Sequence, residues 1–97
     1  MRYEIVLAPE AVEDMERLSA RWQAMVRDAL EKHLRHQPTR VSRARIKKLR
    51  GLRRPQYRLR VDEIRVFYDI RERTVEVLAV VPKSLAGVWL QEMGESE

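Results

Sequence analysis

The chain has 97 residues, 44% hydrophobic and 36% charged, with a formal net charge of +5 and a sequence pI of about 10.1. This composition is typical of a small globular protein with a highly charged surface, and we expect residues 1–97 to form one domain. The absence of cysteine excludes disulfides and thiolate chemistry, and no apolar run approaches the ~20 residues of a membrane span, so we expect a cytoplasmic protein without a membrane partner.

The first half of the chain predicts a strand followed by two helices. Within residues 2–7, Tyr3, Ile5 and Leu7 lie at every second position and so share one face, which is the pattern of a short strand. Pro9, followed by acidic residues, suits the first turn of a helix that runs to about Ser19. Ser19 is also a suitable N-cap for a second helix, whose apolar residues recur at helical spacing as far as Leu34 before Pro38 ends it. The two helices should form a hairpin whose apolar stripes need another layer to cover them.

The second half predicts an antiparallel meander and a terminal helix. The elements are strands at Gln56–Val61, Ile64–Ile70 and Thr74–Val81, and a helix from Ser84 to about Met93. The two residues Asp62-Glu63 between the first two strands suggest a tight hairpin. The polar end from Gly94 onward looks frayed. Helices grouped before such a meander predict an α+β sandwich of two layers.

Half of the 20 basic residues lie in one stretch between Arg40 and Arg60 that contains no Asp or Glu. Its members are Arg40, Arg43, Arg45, Lys47, Lys48, Arg50, Arg53, Arg54, Arg58 and Arg60. Charge of this sign and density attracts a polyanion, and nucleic acid is the commonest polyanion inside a cell. The stretch therefore predicts a binding site for an anionic ligand.

Strand alternation places several of these charges together. Arg58 and Arg60 share one face of their strand, and Arg65 faces the same side from the next strand. Lys83, just past the third strand, lies at the edge of this face. Three guanidinium groups and an amine make a phosphate clamp, because Arg offers paired donors that match phosphate oxygens. A plain solvent-facing role explains any one of these arginines taken alone, but three on adjacent strands favour a site.

The two histidines lack a second pair of metal ligands, so we expect no metal site and no cofactor. We interpret His33 as a packing residue of the second helix and His36 as a surface residue. Both are expected to lie far from the basic strands. Phe67, on the same face as Arg65, is expected to be a partly buried core residue.

Several motifs occur in order along the chain. They are Lys48-Leu49-Arg50-Gly51, Tyr57-Arg58-Leu59-Arg60-Val61 and Ile64-Arg65-Val66-Phe67-Tyr68, with Ala8-Pro9-Glu10-Ala11 before them and Val80-Val81-Pro82-Lys83 after them. This series resembles the RelE/ParE superfamily of toxins from type II toxin–antitoxin systems. The resemblance implies a RelE-like fold. For the RelE branch it implies a ribosome-dependent endoribonuclease, in which the ribose 2′-hydroxyl of the messenger attacks the adjacent phosphate.

The resemblance also implies roles for individual residues. Arg65 and Lys83 would stabilise the phosphate, while Arg58 and Arg60 would orient the substrate and stabilise developing charge. The remaining expected RNA-binding residues are Arg43, Arg45, Lys47, Lys48, Arg50, Arg53, Arg54 and Trp89. Trp89 stands where some members carry a tyrosine proposed as general base, and it cannot replace that base. Two interpretations of Trp89 remain: it stacks on a base, or, as we favour, it anchors the last helix to the sheet.

Three functions are compatible with these residues. The first is the RelE-type endoribonuclease, with a cognate antitoxin, the ribosome and messenger RNA as partners, held inactive in a hetero-oligomeric complex. The second is a ParE-like toxin that poisons DNA gyrase, which need not keep the basic set. The third is a non-catalytic basic module that binds nucleic acid or the antitoxin. Retention of all four basic site residues favours the first, and the source of the general base stays open.

Overall fold

The computed structural model describes all 97 residues as a sheet with helices on both of its faces. The helices are α1 (Pro9–Glu16), α2 (Ala20–Ala29) and α3 (Lys83–Met93), and α2 continues as a π-helical segment over Leu30–Leu34. The strands are β1 (Glu4–Leu7), β2 (Ile46–Lys48), β3 (Leu52–Arg54), β4 (Tyr57–Val61), β5 (Ile64–Arg71), β6 (Thr74–Pro82) and β7 (Glu95–Ser96). The predicted α+β class, with its helical hairpin and antiparallel meander, is confirmed. None of the helices is both long and apolar enough to cross a membrane.

The main sheet has the strand order β1-β6-β5-β4-β2. Only β1 runs parallel to its neighbour, and the other pairs are antiparallel. Val61 pairs with Ile64, so β4 and β5 are joined by the tight turn that Asp62-Glu63 predicts. Asp62 adopts a positive φ of 53°, which aspartate tolerates better than most residues. This turn fixes the register of the two strands that carry the arginines.

The helical hairpin covers one face of the sheet. Ser19 accepts a hydrogen bond on its side-chain oxygen from the Trp22 N–H at 3.3 Å and so caps α2 as predicted. Asp14 of α1 accepts a hydrogen bond from the Val80 N–H at 2.9 Å. β1 pairs with β6 only as far as Val77, so no residue of β1 lies opposite Val80. The Asp14 carboxylate therefore accepts the hydrogen bond that a neighbouring strand would otherwise accept.

The main core lies between the helical hairpin and the sheet. From the sheet it takes Leu59, Val61, Ile64, Val66, Tyr68, Val75, Val77 and Val80, and from the helices Ala11, Met15, Val26, Leu30 and Leu34. Each large aliphatic side chain buried in this way contributes about 1.5–3 kcal/mol. This core holds β4 and β5 flat against the helices and leaves their other face for the charged residues.

Replacing Tyr68 with phenylalanine should lower the free energy of unfolding by about 1–3 kcal/mol. Tyr68 is fully buried, and its hydroxyl donates a hydrogen bond to the Pro38 carbonyl at 2.6 Å. Burial raises the pKa of this phenol far above its usual value, so it remains a donor. The loss of the donor leaves a buried carbonyl unpaired, which urea unfolding will detect. Tyr57→Phe, on the half-buried ring stacked on Tyr68, is the control and should change stability by less than about 0.5 kcal/mol. Equal losses in both variants would contradict this account.

Three expectations about the chain's elements were wrong. The second helix ends at Leu34 and not just before Pro38, because the Arg35 carbonyl accepts a hydrogen bond from the Tyr3 N–H at 2.8 Å. The basic stretch contains two short strands, β2 and β3, that were not predicted. The polar end is not frayed, since β7 pairs with β3 and Glu95 forms an ion pair with Arg53 at 3.0 Å.

Candidate functional site

The register of three strands brings four basic residues onto the face of the sheet opposite the helical hairpin. Arg60 pairs directly with Arg65, and Arg58 lies between Phe67 of β5 and Lys47 of β2. Paired residues on neighbouring strands point to the same side, with Cβ atoms about 4.5–5.5 Å apart. Lys47, Arg58, Arg60 and Arg65 therefore form one surface, called here the basic face. None of the four forms an ion pair with an acid of the chain.

Arg65 is buried at the base of the basic face, with only 6% of its surface exposed. Its Nη1 donates to the carbonyl oxygens of Asp62 at 2.7 Å and Ile64 at 3.0 Å. Burial, together with the charges of Arg58 and Arg60, lowers the pKa of this guanidinium. Arg65 thus holds the β4–β5 turn in addition to contributing positive charge, a structural role that the sequence did not suggest.

Arg58 has an incomplete set of hydrogen bonds. Its Nε is the only buried side-chain nitrogen or oxygen of the protein that lacks a partner. An unpaired buried donor costs about 1–3 kcal/mol, and more for a charged group. The rest of the Arg58 side chain is partly exposed, and guanidinium N–H groups match phosphate geometry, so its terminal nitrogens can donate to a phosphate.

The last helix covers the part of this face next to the arginines. The Trp89 ring stacks on Phe67 with ring centroids 4.8 Å apart and an interplanar angle of 6°. Phe67 is fully buried, together with Ala79 and Val81. Trp89 therefore anchors α3 to the sheet, which is the interpretation that we favoured, and Phe67 occupies one face of its ring. Phe67 is a core residue and more deeply buried than expected.

Lys83 lies at the rim of the basic face. It is the first residue of α3, and its backbone N–H donates to the Glu63 carbonyl at 2.8 Å. This contact places it beside the β4–β5 turn, where Pro82 pairs with Ile64. The side chain is exposed and forms no ion pair. Of the four residues expected to act on the phosphate, Arg60, Arg65 and Lys83 thus lie near this turn, and Arg58 lies farther along β4 on the same face.

The other basic residues between Arg40 and Arg60 lie in different parts of the structure. Arg54 is not with the arginines of β4 and β5, because it forms ion pairs with Asp69 at 3.2 Å and Glu76 at 3.3 Å. Asp69 lies four residues beyond Arg65 along β5, which is about 13 Å. Arg53 is paired with Glu95 at the same end. Lys48 and Arg50 line a shallow cavity with Lys47 and Glu97, and Arg43 is exposed in the loop before β2.

The helical hairpin lies closer to the basic strands than expected. Arg60 and His33 line the same groove, a cavity of about 600 Å³ between α2 and the end of β4. The expectation that the helix histidines lie far from the basic strands was therefore wrong for His33. Arg60 has a long side chain, which lets it border both the basic face and this groove. The structure contains no group of three or more His, Cys, Asp or Glu residues that could hold a metal ion.

Residues 5–84 match the family described as the ParE toxin of the type II toxin–antitoxin system parDE. This match covers most of the chain, so the protein belongs to that toxin family, within the RelE/ParE superfamily that its motifs resemble. No curated protein sequence matches the chain significantly.

Solved structures support the same superfamily. In the toxin–antitoxin complex RelBE2 from Mycobacterium tuberculosis, a chain 26% identical to this one superposes with a TM-score of 0.70, covering 84% of this chain and 99% of that chain. The archaeal RelE–RelB complex from Pyrococcus horikoshii OT3 shares the fold at 23% identity and a TM-score of 0.65, covering 89% and 100%. The YoeB dimer from Staphylococcus aureus shares it at 18% identity and a TM-score of 0.61, covering 81% and 94%.

Proposed function

We propose that this toxin cleaves messenger RNA on the ribosome and that its basic face holds the scissile phosphate. The observation that supports this most is the convergence of Arg58, Arg60 and Arg65 on one face without acidic partners.

The reaction consists of attack by the ribose 2′-oxygen on its own phosphorus. A 2′-O–P bond forms, the bond from phosphorus to the 5′-oxygen breaks, and the products are a 2′,3′-cyclic phosphate and a 5′-hydroxyl. The transition state carries additional negative charge on the phosphate oxygens, which fixed guanidinium groups stabilise. Arg58 donates hydrogen bonds to these oxygens, and Arg60 and Lys47 orient the RNA backbone. Arg65 contributes positive charge from its buried position and also holds the β4–β5 turn. Lys83 contacts the phosphate from the rim.

The proton transfers need a separate source. The 2′-hydroxyl must lose a proton, and the leaving 5′-oxygen must gain one. Arginine stays protonated and is a poor base, and Trp89 cannot act as one. Tyr57 and Tyr68 pack toward the helical hairpin, on the other face of the sheet. We therefore assign the proton transfers to Lys83 or to groups of the ribosome, and stabilisation of charge to the basic face.

The proposed partner of the toxin is a cognate antitoxin in a hetero-oligomeric complex. RelBE2 and the archaeal RelE–RelB structures are complexes of this kind. An acidic antitoxin segment would neutralise the basic face, which carries four charges without acidic partners. Such a segment would cover the face proposed to hold the scissile phosphate and so compete directly with the messenger.

Gyrase poisoning is the second candidate function. The family description names ParE, and no side chain on the basic face serves as a general base. A gyrase poison needs neither a base nor a phosphate clamp, because it acts by protein–protein contact. The basic face favours the endoribonuclease over this candidate.

Inducible expression with primer extension on a reporter messenger separates these functions. The endoribonuclease should produce cuts at in-frame codon positions of a translated reporter. The same reporter without its start codon should stay intact, because cleavage depends on the ribosome. Intact messenger together with inhibited supercoiling in a gyrase assay would support the second candidate instead. Normal growth without either effect would leave only a binding module.

A further inference from the structure

A continuous groove runs along the side of the protein between the helical hairpin and the loop before β2. It consists of two adjoining cavities of about 600 and 270 Å³. Lys32, His33 and Arg45 line both cavities. We call this feature the helix groove. It shares only Arg60 with the basic face, and its other residues have no part in the reaction described above.

The helix groove is predominantly positive. The basic residues that line it are Lys32, His33, Arg40, Arg45 and Arg60, and the acids are Asp28 and Asp62. Both acids line the larger cavity, so the smaller one has no acidic residue in its wall. No ion pair neutralises any of the basic side chains. The groove can therefore attract an anion.

The pKa of His33 depends on the charged residues that line the helix groove. Asp28 and Lys32 face it from the helix, Arg40 and Arg45 from the loop, and Arg60 and Asp62 from the end of β4. Burial first, and then the charges of Arg45 and Lys32, lower the pKa of this imidazole. The cations therefore outweigh the two carboxylates at the position of the imidazole.

Arg60 connects the helix groove to the basic face. On one side it pairs with Arg65 across β4 and β5, and on the other it lines the larger cavity. Its backbone N–H donates to the Arg45 carbonyl at 2.8 Å, which fixes the groove's loop against β4. A chain of phosphates that leaves the basic face past Arg60 enters the helix groove next.

We propose that the helix groove binds the phosphate backbone of the RNA strand that continues from the basic face, with Lys32 and Arg45 as its main contacts. The identity of the ligand as RNA rests on the proposed function, while the residues that line the groove indicate an extended polyanion. Contacts of this kind position the strand without reading its sequence. An RNA long enough to reach the helix groove should therefore bind the protein more tightly than one that reaches only the basic face.

The test compares two double variants of equal charge. Lys32→Gln/Arg45→Gln removes two cations that line the helix groove. Arg21→Gln/Arg27→Gln is the control, because it removes two exposed cations of α2 that do not line the helix groove. Fluorescence anisotropy measures binding of single-stranded RNA, 2′-O-methylated to prevent cleavage, at 3 and 12 nucleotides. Urea unfolding verifies that both variants are folded.

The groove variant should bind the 12-nucleotide RNA roughly tenfold more weakly than wild type, and the control less than about threefold. The slope of log affinity against log salt should fall by about 1.4, which is about 0.7 for each phosphate that the variant no longer neutralises. The 3-nucleotide RNA, which reaches only the basic face, should bind both variants alike. Equal weakening of 12-nucleotide RNA binding in the groove variant and the control would overturn the proposal.

His33 supplies an independent readout by NMR. Phosphates in the helix groove offset Arg45 and Lys32, so binding of the 12-nucleotide RNA should raise the pKa of the His33 imidazole. Wild-type affinity should accordingly increase as the pH falls below about 6.5, the ordinary histidine value. His33→Asn should reduce this increase, and His36→Asn, at an exposed position, should not. A His33 pKa that the RNA leaves unchanged would overturn the proposal.

The outcome is independent of the test of the proposed function. If the wild-type toxin cuts no messenger but the groove variant loses the length-dependent RNA affinity, the helix groove is still supported as a binding site. If the wild-type toxin cuts translated messenger but both double variants bind RNA equally, the proposed function is supported and the helix groove is not an RNA-binding site.

Discussion

Replacing Arg58 with methionine should reduce messenger cleavage by about 100-fold without lowering the stability of the protein. Methionine keeps the length of the stem but carries neither the charge nor the Nε donor. The wild-type Nε is buried without a partner, so its removal relieves a cost of about 1–3 kcal/mol. It also relieves repulsion with Arg65, whose pKa Arg58 helps to lower. Activity and stability should therefore change in opposite directions.

Urea unfolding and primer extension on a translated reporter measure the two effects in one set of preparations. The control is Arg21→Met, which makes the same substitution at an exposed position of α2 away from the basic face. We expect it to retain cleavage within about threefold and stability within about 0.5 kcal/mol. An Arg58→Met protein that is less stable than wild type would contradict the description of Arg58 as an unsatisfied group. Arg65→Ala is a poorer probe, because it also removes the hydrogen bonds that hold the β4–β5 turn.

Replacing Trp89 with alanine should lower the free energy of unfolding by about 3 kcal/mol, the low end of the range for a large aromatic residue. No residue of α3 is fully buried, so the helix depends on a few half-buried side chains. Trp89 is the largest of these and stacks on the fully buried ring of Phe67. Its loss should uncover Phe67 and release α3 from the sheet.

Urea unfolding measures the loss of stability, and near-ultraviolet circular dichroism reports the change in aromatic packing. Val88→Ala is the matched control, because Val88 lies next to Trp89 on α3 with 52% of its surface exposed. We expect that variant to lose less than about 0.5 kcal/mol. If Trp89→Ala were no less stable than Val88→Ala, Trp89 would not be the anchor of α3, and the alternative interpretation as a base-stacking residue would regain support.

The pairing of the arginines could be predicted because it depends on short-range information. Alternation in β4 and β5 assigns each residue to a face, and a two-residue turn leaves only one register. Arg60 and Arg65 are therefore opposite one another as soon as Asp62-Glu63 is identified as the turn. The resemblance to the RelE/ParE superfamily implied the same residues independently of this strand pairing.

Other features could not be predicted, because they depend on residues far apart in the sequence. β2 has only three residues, too few to show a pattern, and it exists because β4 offers it an unpaired edge. Arg53 pairs with an acid 42 residues away, and Arg54 with one 22 residues away. Charge density alone therefore overstated how many of these cations lack acidic partners. The position of His33 beside Arg60 likewise requires the packing of α2 on the sheet.

The parallel pairing of β1 with β6 sets the order in which this protein can assemble during its synthesis. Glu4 to Leu7 pair with Thr74 to Val77, so the first strand made has no partner until most of the chain exists. Contacts between residues this distant form late in folding. A growing chain that has not reached β6 has the charge of the arginines but not the strand that pairs with both β1 and β5. The toxin's positive charge is thus present early in translation, and its ordered site is assembled only near the end.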